Sequence, residues 1–270
     1  MTGKVYLVGA GPGDPELLTL KASRVLRNAD VVLHDELIGH EILRMAPPHA
    51  QIDNVGKRCG DKHTSQEGIN SAMVSLAQAG MQVVRLKGGD PSIFGRLSEE
   101  IAALREAHIE FEIVPGVSAA LGAASVAQVS LTRRHISSAV VFVAGHLAAG
   151  SDPTNWSALV ASGATLVVYM PGREYSLIAG QLSISGLSGE TDCAIVSRAT
   201  TPEEQVVWTN VGRLGEAPHL PAPTLLLIGN VLRPAAWPRL QQELSAGVRG
   251  FPIDPAVAVP MESPLQAADF

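Results

Sequence analysis

The stretch that decides the fold is KVYLVGAGPGD, residues 4–14. It begins with a β-rich apolar run, Lys4–Val8, and turns into a glycine-rich loop at Gly9. Thr19 then stands as a predicted N-cap for a helix. The buried face of that helix is predicted to carry Leu20, Val25 and Leu26. A strand, a glycine loop and a helix in this order are typical of α/β proteins, whose ligand loops lie at the carboxyl ends of parallel strands.

A second glycine loop follows the same pattern further along the chain. The predicted strand Gln82–Lys87 ends at Gly88-Gly89-Asp90-Pro91. Between the two loops, Ser65 is the predicted N-cap of a helix that stops at Gly80. Two glycine loops on one sheet edge are less well explained as plain turns than one loop is. We therefore expect a ligand at this edge.

The order of predicted elements indicates two α/β domains, with a mostly parallel sheet in the first and a mixed sheet in the second. The first series of strands is Lys4–Val8, Asp30–His34, Gln51–Val55, Gln82–Lys87 and Glu110–Val114, with a helix over Arg96–Ala107. After a predicted helix within Val117–Ser130, the second series is Ser138–Ala144, Thr165–Met170, Asp192–Ser197, Gln205–Thr209 and Thr224–Ile228. The last strands are less regularly separated by helices, so we expect antiparallel pairing there. The predicted boundaries are 1–115 for the N-terminal domain, 116–247 for the C-terminal domain and 248–270 for a loosely ordered tail.

Composition excludes several classes of function. The 270 residues are 46% hydrophobic and 17% charged, with a net charge of −6, so neither disorder nor nucleic-acid binding is expected. No apolar run approaches the ~18 residues of a membrane span, and the first residues lack a secretory signal. The two cysteines form no CxxC pair, and no cluster has metal-ligand spacing. We expect a cytoplasmic protein that binds neither metal nor membrane.

The first glycine loop leaves three interpretations open. Gly9 and Gly11 fit the dinucleotide fingerprint GxGxxG, but Asp14 stands at the third glycine position. Asp35, at the end of the second strand, resembles the acid that binds ribose in dinucleotide-binding proteins. A second interpretation is that the glycine loop is a plain turn that binds no ligand. Asp14 and Asp90, in loops that lack the GK[ST] of a phosphate-binding loop, suit a ligand with hydroxyls and a cationic centre. S-adenosylmethionine has this profile.

Other candidate residues each have a simpler structural explanation. Arg96 and Glu99 lie three residues apart on a predicted helix and fit a surface ion pair. The cluster Arg133-Arg134-His135 fits a solvated turn, and His146, after a predicted buried strand, fits a structural histidine. Met170 closes an apolar strand and would ordinarily belong to a core.

Several strings together resemble one family. They are VYLVGAGPGDPELLTLK at 5–21, VGKR at 55–58, VRLKGGDP at 84–91, IFGR at 93–96, Glu99-Glu100 and VPGVSA at 114–119. These strings resemble the uroporphyrinogen-III C-methyltransferases, which are class III tetrapyrrole methyltransferases, over roughly residues 3–235. The family usually has Leu-Thr-His-Arg where this chain has Arg133 before Arg134, and Gly-Gly where it has Leu97-Ser98.

The resemblance implies a homodimer of two-domain subunits with a cofactor cleft between the domains. The implied reaction methylates uroporphyrinogen III at two pyrrole carbons, C-2 and C-7, giving precorrin-2 and two molecules of S-adenosylhomocysteine. The implied cofactor contacts are Pro12, Gly88, Gly89, Asp90, Ile93, Ser118, Ala119, Met170, Ala199 and Thr224. The implied catalytic or substrate-binding residues are Arg96, Glu99, Arg134 and His146, with Asp35 joining them and Lys57 and Arg58 as further carboxylate-binding candidates.

Two rival functions stay open at this point. One is methylation of a later corrinoid intermediate, and the other is a module that binds cofactor or tetrapyrrole without turnover. The sequence does not distinguish among sirohaem, cobalamin and haem d1 biosynthesis.

Overall fold

The computed structural model describes residues 2–56, 65–145 and 153–232. They belong to one compact unit that ends at Leu232, within which two five-stranded sheets are formed. The predicted division between residues 115 and 116 therefore remains a prediction, and the predicted tail lies outside the described residues. None of the helices in the described ranges is long and apolar enough to cross a membrane.

The first sheet is built from short apolar runs, as predicted. Its strands are β1 (Lys4–Gly9), β2 (Val31–His34), β3 (Gln51–Asn54), β4 (Gln82–Lys87) and β5 (Glu110–Val114). They are all parallel, in the order β3-β2-β4-β1-β5. The helices of this part are α1 (Leu20–Leu26), α2 (His40–Leu43), α3 (Gln66–Gln78) and α4 (Leu97–Glu106). The predicted parallel sheet is confirmed.

Helices cover both faces of the first sheet. The core on one face contains residues of α1 and α2, and the core on the other contains residues of α3 and α4. β1 and β4 are neighbours at the centre of the sheet. After β1 the chain continues to β2 in one half of the sheet, and after β4 it continues to β5 in the other half, so the strand order reverses between β1 and β4. Such a switch point is where open α/β sheets bind ligands, at the carboxyl ends of the strands. The two glycine loops follow these two strands.

The second sheet is mixed, which confirms the expectation of antiparallel strands near the end. Its strands are β6 (Val140–Ala144), β7 (Thr165–Tyr169), β8 (Asp192–Ser197), β9 (Gln205–Asn210) and β10 (Thr224–Ile228), in the order β6-β7-β10-β8-β9. Only β6 and β7 are parallel to each other. One face packs on α5 (Ala119–Val126), and the other packs on α6 (Trp156–Ala161) and α7 (Tyr175–Ile184).

The predicted N-cap residues begin their helices, but one residue predicted on the buried face of α1 is exposed. Thr19 Oγ1 accepts from the backbone N–H of Ala22, and Ser65 Oγ accepts from that of Gly68, so both predicted N-caps are confirmed. The prediction that Leu20 is buried is wrong, because its side chain is 92% exposed. At 100° per residue, Leu20 points well away from Val25 and Leu26, which do lie in the core.

Candidate active site at the junction of the two sheets

The two glycine loops bind each other directly. The N–H of Gly89 donates to the carbonyl of Gly11 over 2.7 Å, and the N–H of Gly11 donates back to Gly89 over 3.2 Å. Ala10 N–H also donates to the carbonyl of Lys87 over 2.8 Å. Gly11 and Gly89 have φ values of +76° and +67°, a region that favours glycine. These bonds hold both loops at the switch point.

A third loop, between β5 and α5, packs against the same backbone. A Cβ on Gly9 would lie 2.6 Å from the nitrogen of Gly116 and 2.7 Å from the carbonyl oxygen of Gly89. Only glycine fits at that distance, so the position at the end of β1 allows three chain segments to meet.

The Asp90 carboxylate ties these loops together. Oδ1 accepts from the N–H of Ser92 over 2.8 Å and from the Ser92 hydroxyl, and Oδ2 accepts from the N–H of Gly116 over 3.0 Å. The sequence predicts Asp90 as a ligand acceptor. The structure adds a bracing role, because both oxygens already hold the loops in place.

Tyr169, the last residue of β7, connects the second sheet to the third loop. Its hydroxyl lies 2.6 Å from Ser118 Oγ and accepts from the N–H of Ala120 over 3.1 Å. Burial raises the pKa of Tyr169, so the phenol stays protonated at neutral pH. Its ring lies 5.0 Å from that of Phe94, which follows the second glycine loop.

The first glycine loop also contacts the segment after β8. The N–H of Asp14 donates to Thr200 Oγ1 over 3.1 Å. A Cβ on Gly13 would lie 3.3 Å from the carbonyl oxygen of Ala199. Pro12 packs against Gly122 of α5, where a Cβ would come within 2.7 Å of the proline ring. Loops from both sheets therefore meet at one junction.

The residues predicted to bind cofactor all lie on these loops or on the strand ends beside them. Ile93 packs against the core cluster that includes Ala199. Leu225 pairs with Tyr169 in the antiparallel ladder, which places Thr224 beside Met170. Met170 has a φ of +49° and is 51% exposed, so the interpretation of Met170 as a core residue is wrong.

A buried ionic network lies beneath the second glycine loop. Glu100 is 0% exposed, and its Oε1 accepts from Arg85 Nε over 3.0 Å and from Lys87 Nζ over 2.9 Å. Arg85 Nη2 also donates to Asp35 Oδ1. Burial, and then the Arg85 charge, lowers the pKa of Lys87. Asp35 therefore belongs to the same cluster of charges as the end of β4.

Sequence reasoning missed Arg85, Lys87 and Glu100 as members of this network. The signal was present in the strand QVVRLK, where two cations alternate at period two within an apolar run. Such side chains point to one face of a sheet that is covered on both faces. They therefore need a buried anion.

Arg96 and Glu99 form the ion pair that the sequence suggests. Arg96 Nε and Nη2 donate to the two Glu99 oxygens over 2.7 and 2.6 Å, and the two side chains are 52% and 47% exposed. The hydrogen bond between them lowers the pKa of Glu99 and raises that of Arg96. Arg96 itself has φ +54° and ψ +24°, a left-handed conformation just before α4.

Of the other predicted substrate-binding residues, Arg134 is described by the structure, and it lies on a turn outside the loops of this junction. Arg134 is exposed on a turn closed by bonds between Arg133 and Ser137, and Ser137 Oγ contacts Gly163 and Thr165 at the start of β7. Met170 follows the other end of β7. A strand of this length separates its two ends, and so separates Thr165 from Met170, by about 15 Å. Lys57, Arg58 and His146 lie outside the described residues.

Comparisons with known proteins agree with this geometry. A sequence profile for the Tetrapyrrole (Corrin/Porphyrin) Methylases matches residues 4–215. Siroheme synthases from Pseudomonas fluorescens and Hahella chejuensis are 46% and 44% identical over 238 and 234 residues, each covering 86% of this chain. The match takes in 51% and 50% of those two proteins, so the chain spans about half their length.

Two solved structures of similar fold are named as methyltransferases. The uroporphyrin-III C-methyl transferase from Thermus thermophilus, complexed with S-adenyl homocysteine, is 37% identical with a TM-score of 0.75. The match covers 86% of this chain and 94% of that one. The cobalt precorrin-4 methyltransferase CbiF is 28% identical with a TM-score of 0.78, covering 86% of this chain and 96% of that one.

Proposed function

Because the chain belongs to the tetrapyrrole (corrin/porphyrin) methylase family, we propose that it methylates uroporphyrinogen III with S-adenosylmethionine as methyl donor. The proposed sites are two pyrrole carbons, C-2 and C-7, and the products are precorrin-2 and S-adenosylhomocysteine. The observation that carries the proposal is the meeting of loops from both sheets at the switch point between β1 and β4.

The residues at this junction fit an adenosyl cofactor. Gly88 is exposed, and a Cβ there would contact only Leu37, at 3.8 Å, so backbone groups are accessible on that side. Small or apolar residues, Ala119, Ala199 and Ile93, surround the junction and suit an adenine ring. When bound, the cofactor supplies a methyl group on a positively charged sulfur, which leaves as a neutral thioether. Among the described residues, no group of three or more acidic, histidine or cysteine side chains could hold a metal ion.

The protein must orient the pyrrole carbon in line with the methyl group and exclude water from the approach. The carbon uses a pyrrole electron pair to form the new bond, and positive charge moves onto the ring. Asp35 and Glu99 are the proposed carboxylates that stabilise this charge or accept the proton released afterwards. An arginine is a poorer base, because its pKa exceeds ~12.

The substrate carries eight carboxylates, for which arginine forks are well suited. Arg96, which comes two residues after Phe94 of the junction, is our first candidate for binding them. Arg134, Lys57, Arg58 and His146 are proposed as further substrate contacts. Arg134 is far from Met170 in its own chain, so its role would require a second subunit or a long substrate side chain.

We extend the proposal to a homodimer. On the described helices α5 and α7, three apolar side chains are more than half exposed, namely Leu121, Leu177 and Ile184. Covering such surface is a usual reason for subunits to associate. Sedimentation velocity distinguishes the dimer from a monomer of 28.3 kDa.

The test is a methylation assay with labelled S-adenosylmethionine and freshly reduced uroporphyrinogen III under anaerobic conditions. We expect two labelled methyl groups per tetrapyrrole at completion. Label appearing only with later corrinoids would favour the activity suggested by the similarity to CbiF. Cofactor binding without transfer to any tetrapyrrole would indicate a binding module.

A further inference from the structure

Arg85 occupies a position that an apolar side chain would ordinarily take. It lies on the central strand β4, opposite Leu7 of β1 and Leu33 of β2, and it is 2% exposed. Leu7 and Leu33 belong to the apolar core under α3 and α4. An arginine buried there is costly unless its charge and its N–H groups are matched. Its partners therefore indicate why it is present.

The guanidinium of Arg85 connects a fully buried carboxylate to a partly open one. Nε donates to Glu100 Oε1 over 3.0 Å, and Nη2 donates to Asp35 Oδ1. Nη1 is held by the carbonyl oxygens of Leu33 and Leu86 at 3.4 and 3.3 Å. Donors on three nitrogens are engaged, so the plane of the guanidinium is fixed. Arg85 therefore presents a rigid donor to Asp35.

The charges of the network balance as a set of four. Glu100 Oε1 is shared between Arg85 and Lys87, and its Oε2 has no partner among the described residues. One buried carboxylate thus serves two buried cations. Asp35 supplies the second negative charge.

Asp35 lies where it can reach a ligand at the glycine loops. Its side chain is 32% exposed, and its N–H donates to the carbonyl of Leu86 over 3.2 Å. Two residues later, Leu37 is the neighbour that a Cβ on Gly88 would meet. Within the described ranges, Oδ2 of Asp35 makes no hydrogen bond. Arg85 holds Oδ1, and no residue in the described part of the chain holds Oδ2.

We propose that Arg85 and Glu100 are positioning residues that hold the Asp35 carboxylate in one orientation, so that Oδ2 accepts hydrogen bonds from pyrrole N–H groups of the substrate. The inference rests on the proposed function and assigns the two candidate carboxylates different tasks. Glu99 is already neutralised by Arg96 in a solvated pair. Asp35 lies beside the second glycine loop, and its Oδ2 has no hydrogen-bond partner among the described residues. Asp35 is therefore the group that faces the charge developing on the ring.

A double-mutant cycle tests the proposal. Asp35→Asn, Arg85→Lys and the double variant are compared by single-turnover methylation of uroporphyrinogen III and by calorimetry with S-adenosylhomocysteine. A lysine keeps the positive charge but lacks the fork that contacts both carboxylates. We expect each single variant to lose at least about tenfold in rate, and the double variant to lose no more than about threefold beyond the slower single one, because residues acting as a unit are not additive. Cofactor affinity should change by less than about threefold in all of them, because the cofactor contacts lie on other residues.

A merely structural role for Arg85 would give a different result. Arg85→Lys would then lower the rate by the same factor whether residue 35 is Asp or Asn. Independent losses of this kind overturn the proposal. A wild-type rate in Arg85→Lys overturns it as well. If Arg85→Lys does not fold, Glu100→Gln takes its place with the same expectations. Arg105→Lys, an exposed arginine on the same helix as Glu100, is the matched control and should be unchanged.

Failure of the proposed function is distinguishable from failure of this inference. A wild-type protein that does not methylate uroporphyrinogen III overturns the proposed function. Crystal structures of wild type and Arg85→Lys then decide the inference by the position of the Asp35 carboxylate. One position in the wild type and a changed or divided one in the variant support it, whereas the same position in both overturns it.

Discussion

Replacing Arg96 by glycine should separate the stability of this protein from its activity. Arg96 adopts φ +54° and ψ +24°, where a side chain is strained and glycine is not. Relief of that strain is worth about 1–2 kcal/mol for a residue with a Cβ. A strained residue at the edge of a candidate active site is a reason to look for function.

Two losses oppose this gain. The Arg96–Glu99 pair is bidentate, but both side chains are about half exposed, so solvent screening limits its value to about 0.3–1 kcal/mol. Glycine also makes the unfolded chain more flexible, which costs about 0.4–1 kcal/mol. The sum lies near zero, so Arg96→Gly should unfold within about 1 kcal/mol of the wild type. Arg96→Ala keeps the strain and loses the pair, so it should be no more stable than Arg96→Gly.

Activity should respond very differently. If Arg96 binds a substrate carboxylate or stabilises developing charge, its loss should raise the barrier by about 2.7–4 kcal/mol, or 10²–10³ in rate. Arg96→Lys should recover little, since a point charge does not reproduce the fork. Affinity for S-adenosylhomocysteine should stay close to that of the wild type.

The assays are urea unfolding, single-turnover methylation and calorimetry on the same three variants, with Arg105→Ala as the matched control. Wild-type turnover in Arg96→Gly would show that Arg96 serves only the surface pair. A loss of cofactor affinity as large as the loss of rate would show that Arg96 contacts the cofactor and not the tetrapyrrole. Destabilisation well beyond 1 kcal/mol, roughly twice that or more, would mean that the backbone at Arg96 is not strained or that the ion pair is worth more than solvent screening allows.

Three further predictions follow from other contacts. Asp90→Ala removes three hydrogen bonds that hold the loops, so it should lower the unfolding free energy by about 1–3 kcal/mol. It should also lower the affinity for S-adenosylhomocysteine, and calorimetry showing unchanged affinity would refute the placement of Asp90 at the cofactor. The pKa of Lys87 lies below its usual 10.5, so the folded protein loses this proton first, and stability should rise with pH between the two values by up to about 1.4 kcal/mol per pH unit. The difference in urea unfolding between wild type and Lys87→Met should show that rise, and a difference that is flat up to pH 10.5 would contradict it. In a Cys59→Ser variant, Cys193 is the remaining thiol, and it is buried with a raised pKa. Its reaction with a thiol reagent should therefore follow unfolding in urea, and immediate reaction in the native protein would contradict this.

Much of the fold was predictable from local sequence patterns. The strands and the caps at Thr19 and Ser65 depend on alternation of apolar residues and on single side chains that bond within three positions. The glycine loops were predictable because glycine permits close backbone approach and positive φ, as at Gly11 and Gly89. Family resemblance extended this to the set of candidate cofactor residues, which the fold brings to one junction.

What the sequence determined by itself is therefore the set of elements and the loops that can approach a ligand. Only the tertiary structure decided which distant charges meet: Asp35 and Arg85 are fifty positions apart and touch because β2 and β4 are neighbours in the sheet. It also decided that Met170 is exposed and that the turn carrying Arg134 is fastened, through Ser137, to the end of β7 opposite Met170. The physical reason is that backbone preferences act over a few residues, whereas burial and ion pairing depend on strand order, which no local pattern of residues encodes.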